Sequence, residues 1–448
     1  MSLVRYEAYK ASGLDWLEDI PSNWGLLRLG SVFSERSEKV SDKDFAALSV
    51  TQKGIVPQLE DVAKTDAGDN RKKVCVGDFV INSRSDRKGS SGVSEYEGSV
   101  SLISIVLKAT KIEPVFAHHL LRSKLFQEEF YRFGKGIHAD LWSTNYSEMK
   151  NILIPLPSIN EQTQIARFLD HEVGKIDALI AEQEKLIALL KEKRQAVISH
   201  AVTKGLNPDT PMKDSGVEWL GQVPEHWVVG SLKWYATIRG GIALGKSYEG
   251  KETVTVPYLR VANVQAGYVD LRDVKEIEVL PEELEKYSLK SGEVLMNEGG
   301  DNNKLGRGTV WRCEIQPCIH QNHVFAITTN HKLMADWLAL SSQSDAARAY
   351  FYVNSKQSTN LASISSSNVM GFVLPIPPMN EQDAILNWCT DALDRFDELV
   401  NEAESAKALL SERRSALISA AVTGKIDVRG WQPPVGKINP ANKEVCVD

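Results

Sequence analysis

The chain has 448 residues, of which 42% are hydrophobic and 25% charged, and a formal net charge of −7. That length allows two or three domains with real cores, and the acidic balance argues against a sequence-blind polycation. No apolar run approaches the 18 residues of a membrane span, and five scattered cysteines fit a reducing compartment better than a disulfide framework. The N-terminus lacks a basic segment followed by an apolar one, so a cytoplasmic location without membrane contact is expected.

In chain order, the first landmark is Ser12-Gly-Leu-Asp-Trp16-Leu-Glu-Asp-Ile-Pro21-Ser-Asn-Trp24. Strand-like stretches follow at Ala46 to Val50, Val74 to Ile81 and Val100 to Leu107, with turns at Lys53-Gly54, Gly77-Asp78 and Glu97-Gly98. Pro114 opens a helical stretch through Phe133. After Pro155-Leu-Pro157, Asn160 to Thr203 has the period of a long helix.

The chain then repeats itself. The tryptophan motif returns as Ser215-Gly-Val-Glu-Trp219-Leu-Gly-Gln-Val-Pro224-Glu-His-Trp227. Strand-like Val254 to Val261, Glu276 to Leu280, Gly292 to Met296 and His323 to Thr328 precede a helical stretch from Leu333 to Tyr352. Gly77-Asp-Phe-Val-Ile-Asn82 and Gly292-Glu-Val-Leu-Met-Asn297 read as the same strand in two copies. After Pro375-Ile-Pro377-Pro378 comes a second long helix, Asn380 to Thr423, identical to the first at 19 of 44 positions at an offset of 220. Gly205 and Gly424 mark the ends.

Both helices carry a seam at alternating three- and four-residue steps. The first is Val173, Ile176, Ile180, Ile187, Leu190, Val197 and Ala201, interrupted by Gln183 and Arg194. The second is Leu393, Phe396, Val400, Ala403, Leu410, Leu417 and Ala421, interrupted by Lys407 and Arg414. Two such seams in one chain can bury each other as an intramolecular coiled coil, a rod of roughly 60 Å. One α/β segment with one long helix, duplicated once, predicts a pseudo-two-fold molecule suited to a two-fold ligand such as duplex DNA. The predicted boundaries are 1–157 for the first globular segment, 158–204 for its helix, 205–377 and 378–424 for the second pair, and 425–448 for a wrap-around tail.

Catalytic signals are weak. Gly240-Gly-Ile-Ala-Leu-Gly245-Lys246-Ser247 matches the P-loop pattern, but the residues after it read as loop and strand rather than the helix that cradles phosphate. It reads better as a glycine-rich loop close to a ligand, with Lys246 in contact. Cys313, Cys318, His320 and His323 lack the spacing of a usual zinc site. Asp140 with Glu148 and Lys150 is the loosest nuclease pattern, common by chance. The sequence predicts no catalytic residue, metal or cofactor on this chain.

Nucleic-acid signals are more coherent. Arg71-Lys72-Lys73 and the glycine- and serine-rich loop bearing Asn82, Arg84, Arg87 and Lys88 combine side chains that pair with base edges and with phosphates. The second copy places Asn302, Asn303, Lys304 and Arg307 at the equivalent position. Further candidates are Lys135 with His138, the polar run His320-Gln321-Asn322-His323, and Lys356 with Asn360.

The helix leads Pro157-Ser-Ile-Asn-Glu161-Gln162 and Pro378-Met-Asn-Glu381-Gln382 resemble those of the specificity subunit of type I restriction-modification systems. So do the helix end Glu412-Arg-Arg-Ser-Ala-Leu-Ile-Ser-Ala-Ala-Val-Thr-Gly-Lys425, the repeated tryptophan motif and the run from Gly77 to Asp86. The resemblance covers nearly the whole chain. It implies two α/β (α+β) target-recognition domains joined by an antiparallel helix pair. Each domain would read half of a split, asymmetric DNA target while the helices fix the unread spacer. It implies a non-catalytic subunit that docks modification subunits, two in number, which methylate adenine with S-adenosylmethionine. Restriction subunits using ATP and Mg would be further partners. The glycine-rich loop at Gly240 has no counterpart in the first copy, so contacts do not transfer between the domains. The competing readings are a coiled-coil scaffold and a stand-alone DNA-binding protein.

Overall fold

The computed structural model describes residues 4–58, 68–136, 142–300, 305–306, 308–357 and 362–433. The chain divides into two compact units, Met1–Glu184 with Ser405–Asp448, and Lys185–Glu404. The two long helices, Ile159–Lys204 and Met379–Val422, are each continuous through a boundary, so each unit contains the start of one and the end of the other.

Both units build the same central sheet from different sequences. In the first, four antiparallel strands lie in the order Ser91–Val93, Phe79–Asn82, Ser104–Ala109, Phe33–Glu35. In the second the corresponding order is Gly308–Val310, Val294–Asn297, Val324–Thr329, Ala236–Gly240. The strand shared by the two glycine-led runs is therefore the same strand. Its lead is explained by a buried ion pair: Asp78 holds Arg36 at 2.7 Å, and Glu293 holds Arg239 at 2.7 Å. Gly77 and Gly292 precede these carboxylates at φ +87° and +85°, a backbone region that favours glycine.

Four expected elements are broken where the chain turns. Val74 to Ile81 becomes Arg71–Val74 and Phe79–Asn82, because the Gly77-Asp78 turn folds the carboxylate back onto the amide of Cys75. Val100 to Leu107 divides into Gly98–Val100 and Ser104–Ala109. The helix from Pro114 divides at Ser123 into Pro114–Arg122 and Lys124–Arg132, the Ser123 hydroxyl accepting from the amide of Phe126. Ser344 does the same in the second unit, between Ala335–Ser341 and Asp345–Val353.

Each core closes on both long helices. In the first unit, Trp24, Phe116 and Phe130 pack with Ile165, Phe168 and Leu169 of the first helix and with Ile418, Ala421 and Val422 of the second. The second unit mirrors this with Trp227 and Trp337, Ile385 and Cys389, and Ile198, Ala201 and Val202. Every seam position is buried or half-buried, from Val173 to Ala201 and from Leu393 to Ala421. The charged interruptions reach across to the partner helix. Arg414 meets Asp177 at 2.6 Å and Lys407 meets Glu184 at 2.9 Å in the first unit. Arg194 meets Asp397 at 3.0 Å and Lys191 meets Glu404 at 3.7 Å in the second. Numbers rise along one helix as they fall along the other, so the pair is antiparallel in both units. Asp177–Arg414 and Asp397–Arg194 are the same pair at the 220-residue offset.

After Gly424 the tail returns to the N-terminal segment. The Asp427 amide donates to Val4 O at 2.8 Å, and Trp431 packs edge-on against Phe168 at 5.3 Å.

Candidate nucleic-acid interface

In the first unit, the hairpin Leu48–Thr51 and Gly54–Pro57 faces the loop after Phe79–Asn82 across a cleft of about 770 Å³. Its walls bring together Gln52, Lys53, Arg71, Asn82, Asp86 and Arg87. Arg87 is the most exposed of the arginines here, its side chain 68% exposed and 3.8 Å from Asp86. Lys88 is exposed beside it. Arg84 is turned back by Asp86 at 2.9 Å. Gln52 and Lys53 also line the cleft, though the sequence marked only Lys53-Gly54, and only as a turn; a polar pair at a hairpin tip was the available signal.

Three of the expected contacts serve the scaffold instead. Arg71 is buried and donates to Ser99 Oγ at 2.9 Å and Ser99 O at 3.1 Å, with burial lowering its pKa. Lys72 is held by Glu35 at 3.2 Å and donates to Ser104 O. Asn82 is buried and accepts from the amide of Arg84 at 3.1 Å, which shapes the loop. Elsewhere in this unit, Lys135 pairs with Glu148 at 2.7 Å near the half-exposed Trp142. His138 lies outside the described residues.

In the second unit, Asn302, Asn303, Lys304, Arg307 and Asn360 also lie outside the described residues. The run at His320 is not the polar surface expected. His320 is fully buried and donates from Nδ1 to Val324 O at 2.8 Å, while burial pushes its pKa down to about 4. Gln321 and Asn322 are half-buried, their amides paired to Leu259 O and Ile242 O. Only His323 of this run is exposed, 2.6 Å from Glu298. Lys356 is exposed in the hairpin strand Lys356–Gln357. The glycine-rich loop lines a separate cleft of about 540 Å³. No helix follows Ser247, and Lys246 and Tyr248 both bond Glu283, at 2.6 and 2.8 Å. That geometry does not form a phosphate-cradling P-loop. Among the described residues no group of three or more His, Cys, Asp or Glu is placed to hold a metal ion.

Residues 224–409 match the family model of the type I restriction modification DNA specificity domain. The type I restriction enzyme EcoKI specificity subunit of Escherichia coli is 24% identical over 372 residues, covering 81% of this chain and 77% of that protein. The MjaVIII specificity subunit of Methanocaldococcus jannaschii is 24% identical over 431 residues, covering 92% and 94%. Residues 224–409 thus match a type I DNA specificity domain, and most of the chain is similar to type I specificity subunits. A solved structure from work on complex assembly and conformational transition of the type I R-M system has the same fold. Its TM-score is 0.66 at 16% identity, covering 90% of this chain and 98% of that chain. Among the described residues, no helix is long and apolar enough to cross a membrane.

Proposed function

We propose that each unit reads one half of a bipartite, asymmetric DNA target within a type I restriction-modification complex. The observation that carries this reading is one sheet order serving two different surfaces. The first unit presents the hairpin cleft with Gln52, Lys53 and Arg87, and the second a cleft lined by the glycine-rich loop. A shared scaffold with unlike faces is what reading two unlike half-sites requires, since base contacts specify and backbone contacts only position.

The helix pair is the spacer and the docking element in this reading. Solvent-exposed leucines recur at the 220-residue offset, Leu179 with Leu399 and Leu189 with Leu409. Each unit thus presents one leucine from each helix, which supports docking of two copies of one modification subunit. S-adenosylmethionine would be held by those subunits, and ATP and Mg by restriction subunits, with adenine methylation and DNA cleavage as the chemistry of the complex.

Methylated-base mapping of genomic DNA from cells expressing this chain with its cognate modification subunit tests the proposal. A new split motif with methyladenine in both halves is the expected result. A stable complex that adds no new motif would refute it in favour of a scaffold.

A further inference from the structure

The duplication has left two equivalent clefts of opposite charge. Each lies beside the helix that precedes the capping serine, Pro114–Arg122 in the first unit and Ala335–Ser341 in the second, against long-helix residues of its own unit. In the first unit the cleft is about 280 Å³, and its walls include Lys88, His118, His119, Arg122 and Arg414. Aligning the second unit on the capping serines, Ser123 with Ser344, puts Ala339, Leu340 and Gln343 in place of His118, His119 and Arg122. All three line the second cleft, where Arg194 replaces Arg414, Arg312 pairs with Asp336, and Asp383, Asp394 and Asp397 leave the walls acidic on balance. The scaffold therefore does not require the basic residues.

Arg122 is the group that needs a partner. Its Nη2 donates to Gln52 O at 2.5 Å, and the Gln52 side chain donates to Lys88 O at 3.1 Å, so the arginine and lysine share one turn. Its Nη1 lies 3.1 Å from His118 Nε2. His118 Nδ1 already accepts from the amide of Val93 at 3.2 Å. The single proton of the neutral imidazole therefore sits on Nε2, and the arginine N–H meets another N–H. Protonation gives no relief, because burial and then Arg122 push the His118 pKa down to about 3. The carboxylates at this cleft are committed elsewhere, Asp170 to His119 at 2.9 Å and Asp177 to Arg414 at 2.6 Å. Among the described residues neither Arg122 nor Lys88 forms an ion pair.

We propose that this cleft is a phosphate site, in which Arg122 and Lys88 take up one phosphate group from a DNA backbone or from free phosphate. A guanidinium offers paired donors to phosphate oxygens, and in a half-buried cleft such charge-assisted bonds exceed what they are worth in open solvent. The DNA source rests on the proposed function; the free-phosphate source does not.

The test is calorimetric titration of the full chain with inorganic phosphate, beside the salt dependence of its DNA affinity with the modification subunit present. Arg122→Gln, which installs the residue type of Gln343, and Lys88→Gln on the exposed loop are the variants. Both should weaken inorganic phosphate by about tenfold or more. A DNA source would also lower the slope of log affinity against log salt by about 0.9 in each variant. Lost phosphate binding with an unchanged slope assigns free phosphate. Unchanged phosphate affinity and unchanged slope in the variants overturn the site, as does a wild type that binds no phosphate and loses no slope on substitution. Lys88→Gln keeps the test decisive if Arg122→Gln fails to fold. Absence of DNA binding by the wild type would remove the proposed function and leave the phosphate titration standing.

Discussion

Trp24 Nε1 donates to Glu161 Oε1 at 3.0 Å, and the same bond recurs at 3.0 Å between Trp227 and Glu381. The two most recognisable repeats of the sequence, the tryptophan motif and the Asn-Glu-Gln helix lead, are thus the two halves of one lock. The adjacent glutamine completes it. Gln162 accepts from the amide of Glu113, and Gln382 from that of Met334, each at 2.9 Å, where the first helix of the central fold begins. Each also donates to a proline carbonyl of the lead-in, Pro157 O or Pro377 O. The motif fixes how the globular fold of each unit sits on its long helix.

Glu161→Ala should therefore destabilise the first unit without altering its reading surface. Glu161 is buried and also accepts from the Tyr6 hydroxyl at 2.7 Å, so two buried donors would lose their partner. The cost is about 1–3 kcal/mol for each orphaned donor. Glu381→Ala should cost less, because its second partner His226 is half exposed and can turn to water. Urea unfolding followed by tryptophan fluorescence checks the order; an equal or reversed ranking would contradict the lock.

What the sequence disclosed and what it hid follow from the range of the forces involved. The seam from Val173 to Ala201 was legible because its three- and four-residue steps are local, and burial follows those steps. The sites of Arg71 and His320 were not. Both are polar residues in polar runs, and each is placed in the interior by partners, Ser99 and Val324, that no local pattern identifies. Asp78 similarly stops a strand because Arg36 lies 42 residues away in sequence and 2.7 Å away in space. The cleft around Arg87 was half visible, since the arginine stands in a basic loop while the hairpin tip at Gln52 and Lys53 comes from a separate segment.

His320 makes the stability of the second unit depend on pH. It is fully buried as the neutral imidazole, and burial lowers its pKa from 6.5 to about 4. The unfolded chain binds a proton below about pH 6.5 that the folded chain refuses until about pH 4. The stabilising contribution is complete above 6.5 and is lost as pH falls through this window, amounting to roughly 3 kcal/mol. His118 adds the same trend in the first unit, so the informative comparison is with His320→Gln. That variant should show a flatter fall in urea stability between pH 6.5 and 4; an identical slope would place the proton elsewhere.

Arg87 and Lys53 should separate by the kind of contact they make. Arg87→Ala should cost about 1–3 kcal/mol in affinity and relax discrimination at one base pair of the first half-site. Lys53→Ala, a charge at the hairpin tip, should weaken all sequences alike and lower the salt slope by about 0.9. Competition binding with single-base variants of the mapped target distinguishes them. Uniform weakening by Arg87→Ala would reassign that residue to the backbone.

The helix pair offers the most direct test of how two half-sites are kept in register. Both helices are unbroken where the units divide, at Glu184 to Lys185 and at Glu404 to Ser405. Four residues inserted at both places add about 6 Å of helix. DNA rises about 3.4 Å per base pair, so the preferred spacer should lengthen by roughly two base pairs. The half-sites themselves should not change, because neither recognition surface is touched. Inserting into one helix alone should instead put Asp177 and Arg414 out of step with Asp397 and Arg194, and cost stability rather than change the spacer. Methylation mapping of the double insertion decides the matter. An unchanged spacer in a folded, active complex would mean that something other than helix length sets the distance.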